Sequence, residues 1–197
     1  MKPEDSKKQS LREYLTFLSV SFAIIFGFAL YGHYRHSMLP KNAWQFLPIP
    51  VRITNDTEKA VIDLYNKNFD PAPFVAVTDT NHKDGEGIVI AYNDQIQKFG
   101  RRGHTVAVKT PYITRATIEL DAIYLGDKKF MPSYECVLTH ELGHALGFNA
   151  HADNSDGLAT SIMAQPLTAK ICKSSPDDYF AELQVWFERT YKTKESD

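Results

Sequence analysis

The stretch THELGHALGFNAH, at residues 139–151, decides how this chain folds. Side chains four positions apart in a helix lie on the same face, one turn apart, so His140 and His144 can hold one metal ion. Two imidazoles at this spacing suit zinc, and Glu141 lies beside the first of them, where it can act as a base toward a water molecule at the metal. The stretch therefore predicts a metal-binding helix that carries a catalytic carboxylate.

Gly147 separates this helix from a third histidine, His151. A continuous helix would place His151 about 10 Å along the axis from His144, which is too far to share an ion. Glycine adopts positive φ without steric cost, so Gly147 predicts the end of the helix and a turn that brings the chain back. Asn149 tolerates the same conformation. We therefore expect His151 to be the third metal ligand, with Asp153 as the alternative.

The segment HELGHALGF resembles the zinc-binding motif of the metzincin proteases, and it is most similar to that of the matrixin branch, the relatives of the matrix metalloproteases. Met163, in the triplet SIM, resembles the residue of the Met-turn that lies beneath the zinc in these enzymes. Residues 175–178, SPDD, are similar to the start of the matrixin C-terminal helix. The family pattern HExxHxxGxxH is not matched at Ala150, because the third histidine follows one residue later.

The resemblance implies a zinc ion held by three histidines, a base for peptide hydrolysis and a methionine below the metal. These are His140, His144 and His151, then Glu141, and then Met163. It also implies that a substrate extends along the edge strand of a sheet by β-augmentation, and we expect that strand at residues 105–109. Residues 164–167, which follow the Met-turn, would form the wall of the primed-side pocket.

Hydrophobic periodicity predicts the order of elements without reference to the motif. An alternating strand at the start of the domain is followed by a helix at residues 57–68, for which Asn55 offers a capping side chain. Further strands are expected at residues 74–77, 88–92, 105–108 and 116–121. One capped helix begins near Ser133 and another follows Ser175. The expected fold class is α+β, a metzincin-like domain at residues 49–191 with a five-stranded mixed sheet, an active-site helix and a C-terminal helix.

An apolar stretch near the N-terminus predicts a membrane anchor. Residues 14–34 contain no Asp, Glu, Lys or Arg, and about 20 apolar residues are enough to cross a bilayer. Basic residues are more frequent before this stretch than after it, which predicts a cytoplasmic tail at residues 1–13 and an extracytoplasmic domain. A cleaved signal peptide is the less favoured alternative, since the residues at its end match a cleavage site poorly. Residues 35–48, rich in proline, are expected to form a linker, and residues 192–197 a polar tail.

Composition limits the other classes of function. The chain has 197 residues, 43% hydrophobic and 23% charged, which suits one globular domain with an appendage. A net charge of −2 and the absence of a long basic run give no reason to expect nucleic acid as a partner. Cys136 and Cys172 lie on either side of the zinc motif. They could form a disulfide, which an extracytoplasmic location permits, or remain two buried thiols.

Two further groups of residues are candidates for structural calcium or a second zinc, which matrixins often carry. His82, Asp84 and His104 form the first group, for which isolated surface histidines are the alternative. Asp153, Asn154 and Asp156 form the second group, and their spacing does not match an EF-hand.

These features together predict a membrane-anchored zinc endopeptidase, which hydrolyses peptide bonds with water activated by Glu141 and the metal. The alternative is a catalytically silent, membrane-tethered module that binds peptides or proteins on the same fold, in which His151 does not bind metal. Cleavage of a protein substrate that a chelator blocks would distinguish the two functions.

Overall fold

The computed structural model describes residues 43–78, 86–99, 101–110, 112–126, 133–153, 161–168, 170–174 and 176–192, together with residues 21 and 24. The chain divides into two units, Met1–Leu39 and Pro40–Asp197, and the description below concerns the second. Within the described residues, no helix is both long enough and apolar enough to cross a bilayer. The tail predicted at residues 1–13 lies outside the described residues, as do all but two residues of the predicted anchor at residues 14–34.

The described residues contain seven strands, four α-helices and two short 3₁₀ helices. The strands are β1 (Ile49–Arg52), β2 (Phe74–Val77), β3 (Gly87–Asn93), β4 (Gly103–Lys109), β5 (Ile113–Asp121), β6 (Ala152–Asp153) and β7 (Ala164–Gln165). The α-helices are α1 (Asp56–Asn68), α2 (Ile123–Gly126), α3 (Tyr134–Leu146) and α4 (Pro176–Tyr191). The 3₁₀ helices are Ile96–Phe99 and Ile171–Lys173. The fold class is therefore α+β.

Five strands form one mixed sheet, in the order β2-β1-β3-β5-β4. β1 pairs in parallel with β2 and β3, and β3 pairs in parallel with β5, whereas β4 and β5 are antiparallel. The connection from β4 to β5 is too short for a crossover, so these strands can only form a hairpin. α1 supplies the longer crossover that the parallel pair β1 and β2 requires. The predicted five-stranded mixed sheet is confirmed.

The predicted boundaries differ from the structure where local contacts extend an element. α1 begins at Asp56, one residue before the predicted start, because the side chain of Asn55 accepts a hydrogen bond from the Glu58 N–H and acts as the N-cap. β5 begins at Ile113, earlier than the predicted residue 116, because Ile113 pairs with Lys109 across the hairpin. Pairing of strands therefore extends β5 beyond its most apolar part.

α3 is the central helix of the domain and is buried on almost every side. It begins after Ser133, whose hydroxyl accepts a hydrogen bond from the Cys136 N–H, as the sequence predicted. α4 packs against α1 through aromatic side chains, since the ring of Phe180 lies 4.9 Å from that of Tyr65 and 5.3 Å from that of Phe69. These contacts fix α4 against α1.

A disulfide joins Cys136 in α3 to Cys172, with the two Cα atoms 5.4 Å apart. Of the two possibilities that the sequence left open, the structure contains the bridge. It connects the first turn of α3 to the segment that precedes α4.

Trp44 lies in the segment expected to be a linker, residues 35–48, and is only 6% exposed. Its indole Nε1 donates a hydrogen bond of 2.7 Å to the Ala145 carbonyl. Its backbone N–H donates to the hydroxyl oxygen of Tyr191 at 3.0 Å, and that hydroxyl donates to the Leu146 carbonyl at 3.0 Å. Trp44 and Tyr191 therefore satisfy carbonyl groups at the C-terminal end of α3, which have no partner within the helix.

Candidate metal centre

His140 and His144 project from the same face of α3, as their spacing predicted. Their Nε2 atoms lie 3.1 Å apart. The His140 side chain is buried, with 6% exposure, and that of His144 is half-buried. Because α3 is held on almost every side, the spacing of these two nitrogens is fixed by a rigid element.

Gly147 ends α3 in the left-handed region, with φ at 118°, and turns the chain back as predicted. The Phe148 N–H then donates to the Gly143 carbonyl at 3.1 Å, a contact that closes the helix end. After this turn the Nε2 atom of His151 lies 2.9 Å from that of His144. His151 is exposed. The glycine therefore brings together three imidazoles that a continuous helix would separate.

The three imidazoles offer one donor atom each, and these atoms all lie within 4.8 Å of one another. Zinc–nitrogen bonds are about 2.0 to 2.1 Å long, so a tetrahedral ion would hold its nitrogen ligands roughly 3.3 Å apart. The distances between His144 and its two neighbours, 3.1 and 2.9 Å, are close to this separation. The three histidines are therefore close enough to bind one metal ion.

Backbone carbonyl groups determine which nitrogens face the metal position. His140 Nδ1 lies 2.7 Å from the Ile162 carbonyl oxygen, and His144 Nδ1 lies 2.7 Å from that of Phe148. A carbonyl oxygen can only accept, so Nδ1 carries the proton in both rings and Nε2 of the neutral ring carries a lone pair. Partners of this kind orient the ligands of most metal centres.

The electrostatic environment keeps the histidines neutral. Burial, together with the neighbouring His144 and His151, lowers the pKa of His140 to about 4, against a hydrogen bond to Ile162 that raises it. Burial also lowers the pKa of His144, and burial with the charge of Arg101 lowers that of His151. Near pH 7 the three rings are therefore available as ligands for a cation.

Glu141 is a residue of α3 whose side chain contacts β4, and it is 5% exposed. The hydroxyl of Thr105 lies 2.7 Å from the Glu141 carboxylate Oε2 and 3.0 Å from the Glu141 backbone carbonyl oxygen, and these two acceptors share its one proton. A Cβ atom on Gly103 would lie only 2.7 Å from Glu141 Oε1, so a glycine is required at that position of β4. Burial raises the pKa of Glu141 to about 7, while Thr105 and the charge of Arg101 act to lower it.

Met163 is completely buried, at 0% exposure. A Cβ atom on Gly143 would lie 2.5 Å from its sulfur, so Met163 packs directly against the backbone of α3 between the first two histidines. The Met163 N–H donates to the Ser161 hydroxyl at 3.2 Å, which in turn donates to Glu182 at 3.0 Å. The turn is thus attached to α4, and its Ile162 carbonyl orients His140.

A cleft of about 560 Å³ opens beside the three histidines. Both β4 and the segment that follows Met163 line it. The lining residues of β4 include Gly103, Thr105, Ala107 and Lys109, and those of the segment after Met163 are Ala164, Gln165, Pro166 and Leu167. Glu141, His140, His144 and His151 line the same cleft.

The other predicted metal groups fall largely outside the described residues. His82, Asp84, Asn154 and Asp156 are not among them, and of Asp153 only the backbone in β6 is described. His104 is described, and its Nδ1 lies 3.2 Å from an Arg101 guanidinium nitrogen. Among the described residues, the group of His, Cys, Asp or Glu side chains that could hold a metal is the one formed by His140, His144 and His151.

Several residues that shape the site were not identified from the sequence. Thr105 was expected to be no more than part of a strand near the substrate, and Gly103 and the Ile162 and Phe148 carbonyls were not considered. Thr105 lies 36 positions from Glu141 in the chain, so no local pattern reveals their contact. A glycine at the start of β4 is the single hint of close packing that the sequence offers.

No family model matches the chain, and no curated protein matches it.

Proposed function

We propose that this chain is a zinc-dependent endopeptidase of the metzincin type. The observation that carries the proposal is the pair of lone-pair nitrogens on His140 and His144, which face each other at 3.1 Å. In both rings Nδ1–H donates a hydrogen bond to a carbonyl oxygen. Neither neutral ring therefore has a proton on Nε2 that could lie between the two Nε2 atoms. Two acceptors at this distance repel each other, and a shared cation would remove that repulsion.

The donor set favours zinc among the available cations. Three neutral imidazoles with a position left open are a common catalytic zinc environment, whereas calcium and magnesium prefer oxygen ligands. His140, His144 and His151 would hold the ion. When bound, zinc supplies Lewis acidity, which lowers the pKa of water to about 7 and polarises a carbonyl group.

The residues around the ion have separate roles in hydrolysis. Glu141 would accept the proton of the attacking water and later deliver it to the leaving amine. Thr105 holds one oxygen of the Glu141 carboxylate by a hydrogen bond, and burial excludes bulk water from that carboxylate. Met163 supports the backbone of α3 at Gly143, next to His144. These residues would hold Glu141 beside the bound ion and limit its motion.

The cleft fits an extended peptide. β4 is the last strand of the sheet, and among the described residues no strand pairs with its outer edge. A peptide could therefore add to this edge by main-chain hydrogen bonds and pass across the three histidines. Ala164–Gln165 and the two residues after it line the same cleft as β4, and we expect them to form the primed-side pocket.

The order of elements, the Met163 turn and the HExxH helix support the matrixin-like assignment, and the apolar stretch at residues 14–34 supports single-pass membrane attachment with the catalytic domain extracytoplasmic. Both are part of the proposal.

The test uses the full chain, purified in detergent, loaded with one equivalent of zinc and mixed with a denatured protein substrate such as casein. We expect cleavage that a chelator abolishes and that added zinc restores. Zinc bound in stoichiometric amount without any hydrolysis would contradict the proposal and favour a silent binding module.

A further inference from the structure

Positive charge is concentrated at the cleft. Its described lining includes three cationic side chains, Arg101, Arg102 and Lys109, and one carboxylate, Glu141. The whole chain carries a formal net charge of −2, so this local excess does not reflect a generally basic protein. A cleft lined by one sign of charge attracts ligands of the opposite sign.

The three cations are not equivalent. Arg102 forms an ion pair with the buried carboxylate of Asp121, so its charge is largely compensated within the protein. Arg101 and Lys109 are exposed, and in the described part of the chain no ion pair joins either of them to a carboxylate. Arg101 and Lys109 are therefore the two charges that the cleft presents to a ligand.

Arg101 is oriented for this contact. One of its terminal guanidinium nitrogens lies 3.2 Å from His104 Nδ1, a contact that limits the motion of the side chain. The guanidinium has five N–H donors, so most of them remain for a ligand, and two can bind one carboxylate in parallel. Arg101 contacts His104, which lies between Gly103 and Thr105, and both of these residues contact Glu141, so a carboxylate on Arg101 would lie near the bond to be cleaved.

Lys109 lies at the other end of the cleft. β4 runs from Gly103 to Lys109, a span of roughly 20 Å at about 3.4 Å per residue. A peptide that extends along β4 would meet Arg101 near one end of this span and Lys109 near the other.

We propose that Arg101 is a specificity-determining residue, which selects peptides with an acidic side chain next to the cleaved bond, and that Lys109 adds a weaker second contact. This inference rests on the proposed peptidase function. A charge-assisted pair in a partly open cleft changes kcat/KM by roughly tenfold.

The experiment uses the zinc-loaded full chain and a degenerate peptide library, with cleavage sites read by mass spectrometry. We expect Asp and Glu to be enriched within two residues of the cleaved bond. A matched pair of peptides that differ only by Glu or Gln at that position should then differ about tenfold in kcat/KM, and the difference should shrink at high salt because the contact is partly exposed.

Charge reversal separates selection from a structural role. Arg101→Glu should reverse the preference toward Lys and Arg, whereas Arg115→Glu, an exposed position on β5 that does not line the cleft, should keep it. Cleavage with no acidic preference, or a preference that survives Arg101→Glu, would overturn the inference while leaving the peptidase proposal intact.

Binding provides a readout that does not need turnover. Fluorescence anisotropy on the zinc-loaded Glu141→Gln chain should show tighter binding of the Glu peptide than of the Gln peptide, with the difference lost in Glu141→Gln/Arg101→Glu. If no library peptide is cleaved by the wild-type chain, the peptidase proposal fails. Equal binding of the two peptides would instead refute the role of Arg101.

Discussion

At the scale of single residues, the site depends on where two protons are held. The Ile162 and Phe148 carbonyls fix the protons of His140 and His144 on Nδ1, and so direct both Nε2 lone pairs toward one point. The HExxH spacing predicted that these histidines share a face, but it contains no information about the carbonyls, which come from the segments after the helix. Which residues come together as candidate metal ligands was therefore predictable, and how their rings are oriented was not.

Replacement of Glu141 by Gln tests the assignment of the base. Gln keeps the size of the side chain and its contact with Thr105 but cannot accept a proton, so we expect hydrolysis to fall by about 10² to 10⁴. Zinc content, measured by inductively coupled plasma mass spectrometry, should not change, because Glu141 is not among the three predicted ligands. A zinc-loaded Glu141→Gln chain with normal activity would refute the assignment.

Thr105 tests whether the hydrogen bond to Glu141 positions the carboxylate. Thr105→Val keeps the shape of the side chain and leaves Oε2 of Glu141 without this donor, so we expect kcat to fall roughly tenfold with unchanged zinc content. Thr105→Ser keeps the hydroxyl and should retain most of the activity. Equal activity of the Val and Ser variants would show that the hydrogen bond has no part in hydrolysis.

At the scale of elements, α3 is held between the sheet and the other helices. Trp44 and Tyr191 contact carbonyls at its C-terminal end, and the disulfide at Cys136 attaches its first turn. The sequence predicted the helix, its cap and its end at Gly147 because each has a local pattern. The disulfide was undecidable from the sequence, since it depends on whether distant segments bring two Cα atoms to 5.4 Å.

Loss of the disulfide should weaken the domain. The bridge joins positions separated by 36 residues, and closing a loop of this size contributes about 2 to 4 kcal/mol to the free energy of unfolding. We expect Cys136→Ala/Cys172→Ala to lower the denaturant midpoint accordingly. Treatment of the wild-type chain with a reductant serves as the control and should give a similar shift. A midpoint unchanged by both would show that the bridge does not stabilise the fold.

At the scale of the whole molecule, one described unit carries the sheet, the helices and the cleft. A mixed sheet could be predicted from the sequence. The short β4–β5 connection requires an antiparallel pair, and a helical crossover allows a parallel one, so few topologies remain. The position of β4 beside α3 could not be predicted from the sequence, since it arises from non-local packing such as that of Gly103 against Glu141. β4, the edge strand of the sheet, comes beside the three histidines only when the chain folds.

Asp121, at the end of β5, connects the stability of the whole domain to pH. Burial alone would raise its pKa, but hydrogen bonds from the Ile123 N–H, Gln97 and Arg102, together with the charge of Arg102, lower it below the ordinary value. A carboxyl group with a lowered pKa stabilises the folded state above its unfolded pKa of about 3.9, and this stability is lost as the pH falls through the folded pKa.

We therefore expect the free energy of unfolding to decrease below about pH 4, and to do so less steeply in Asp121→Asn, which cannot be protonated. Denaturant unfolding between pH 2 and 7 measures this, with Asp63→Asn, an exposed position on α1, as the control. The same steepness in wild type and Asp121→Asn would contradict the role of Asp121.

The convergence of three imidazoles on one cation is tested most directly by X-ray absorption at the zinc edge of the metal-loaded full chain. We expect a four-coordinate zinc with three imidazole nitrogens at about 2.0 to 2.1 Å, and two in His151→Ala. A spectrum with fewer than three imidazoles in the wild-type chain, or one that His151→Ala leaves unchanged, would contradict the proposed metal centre.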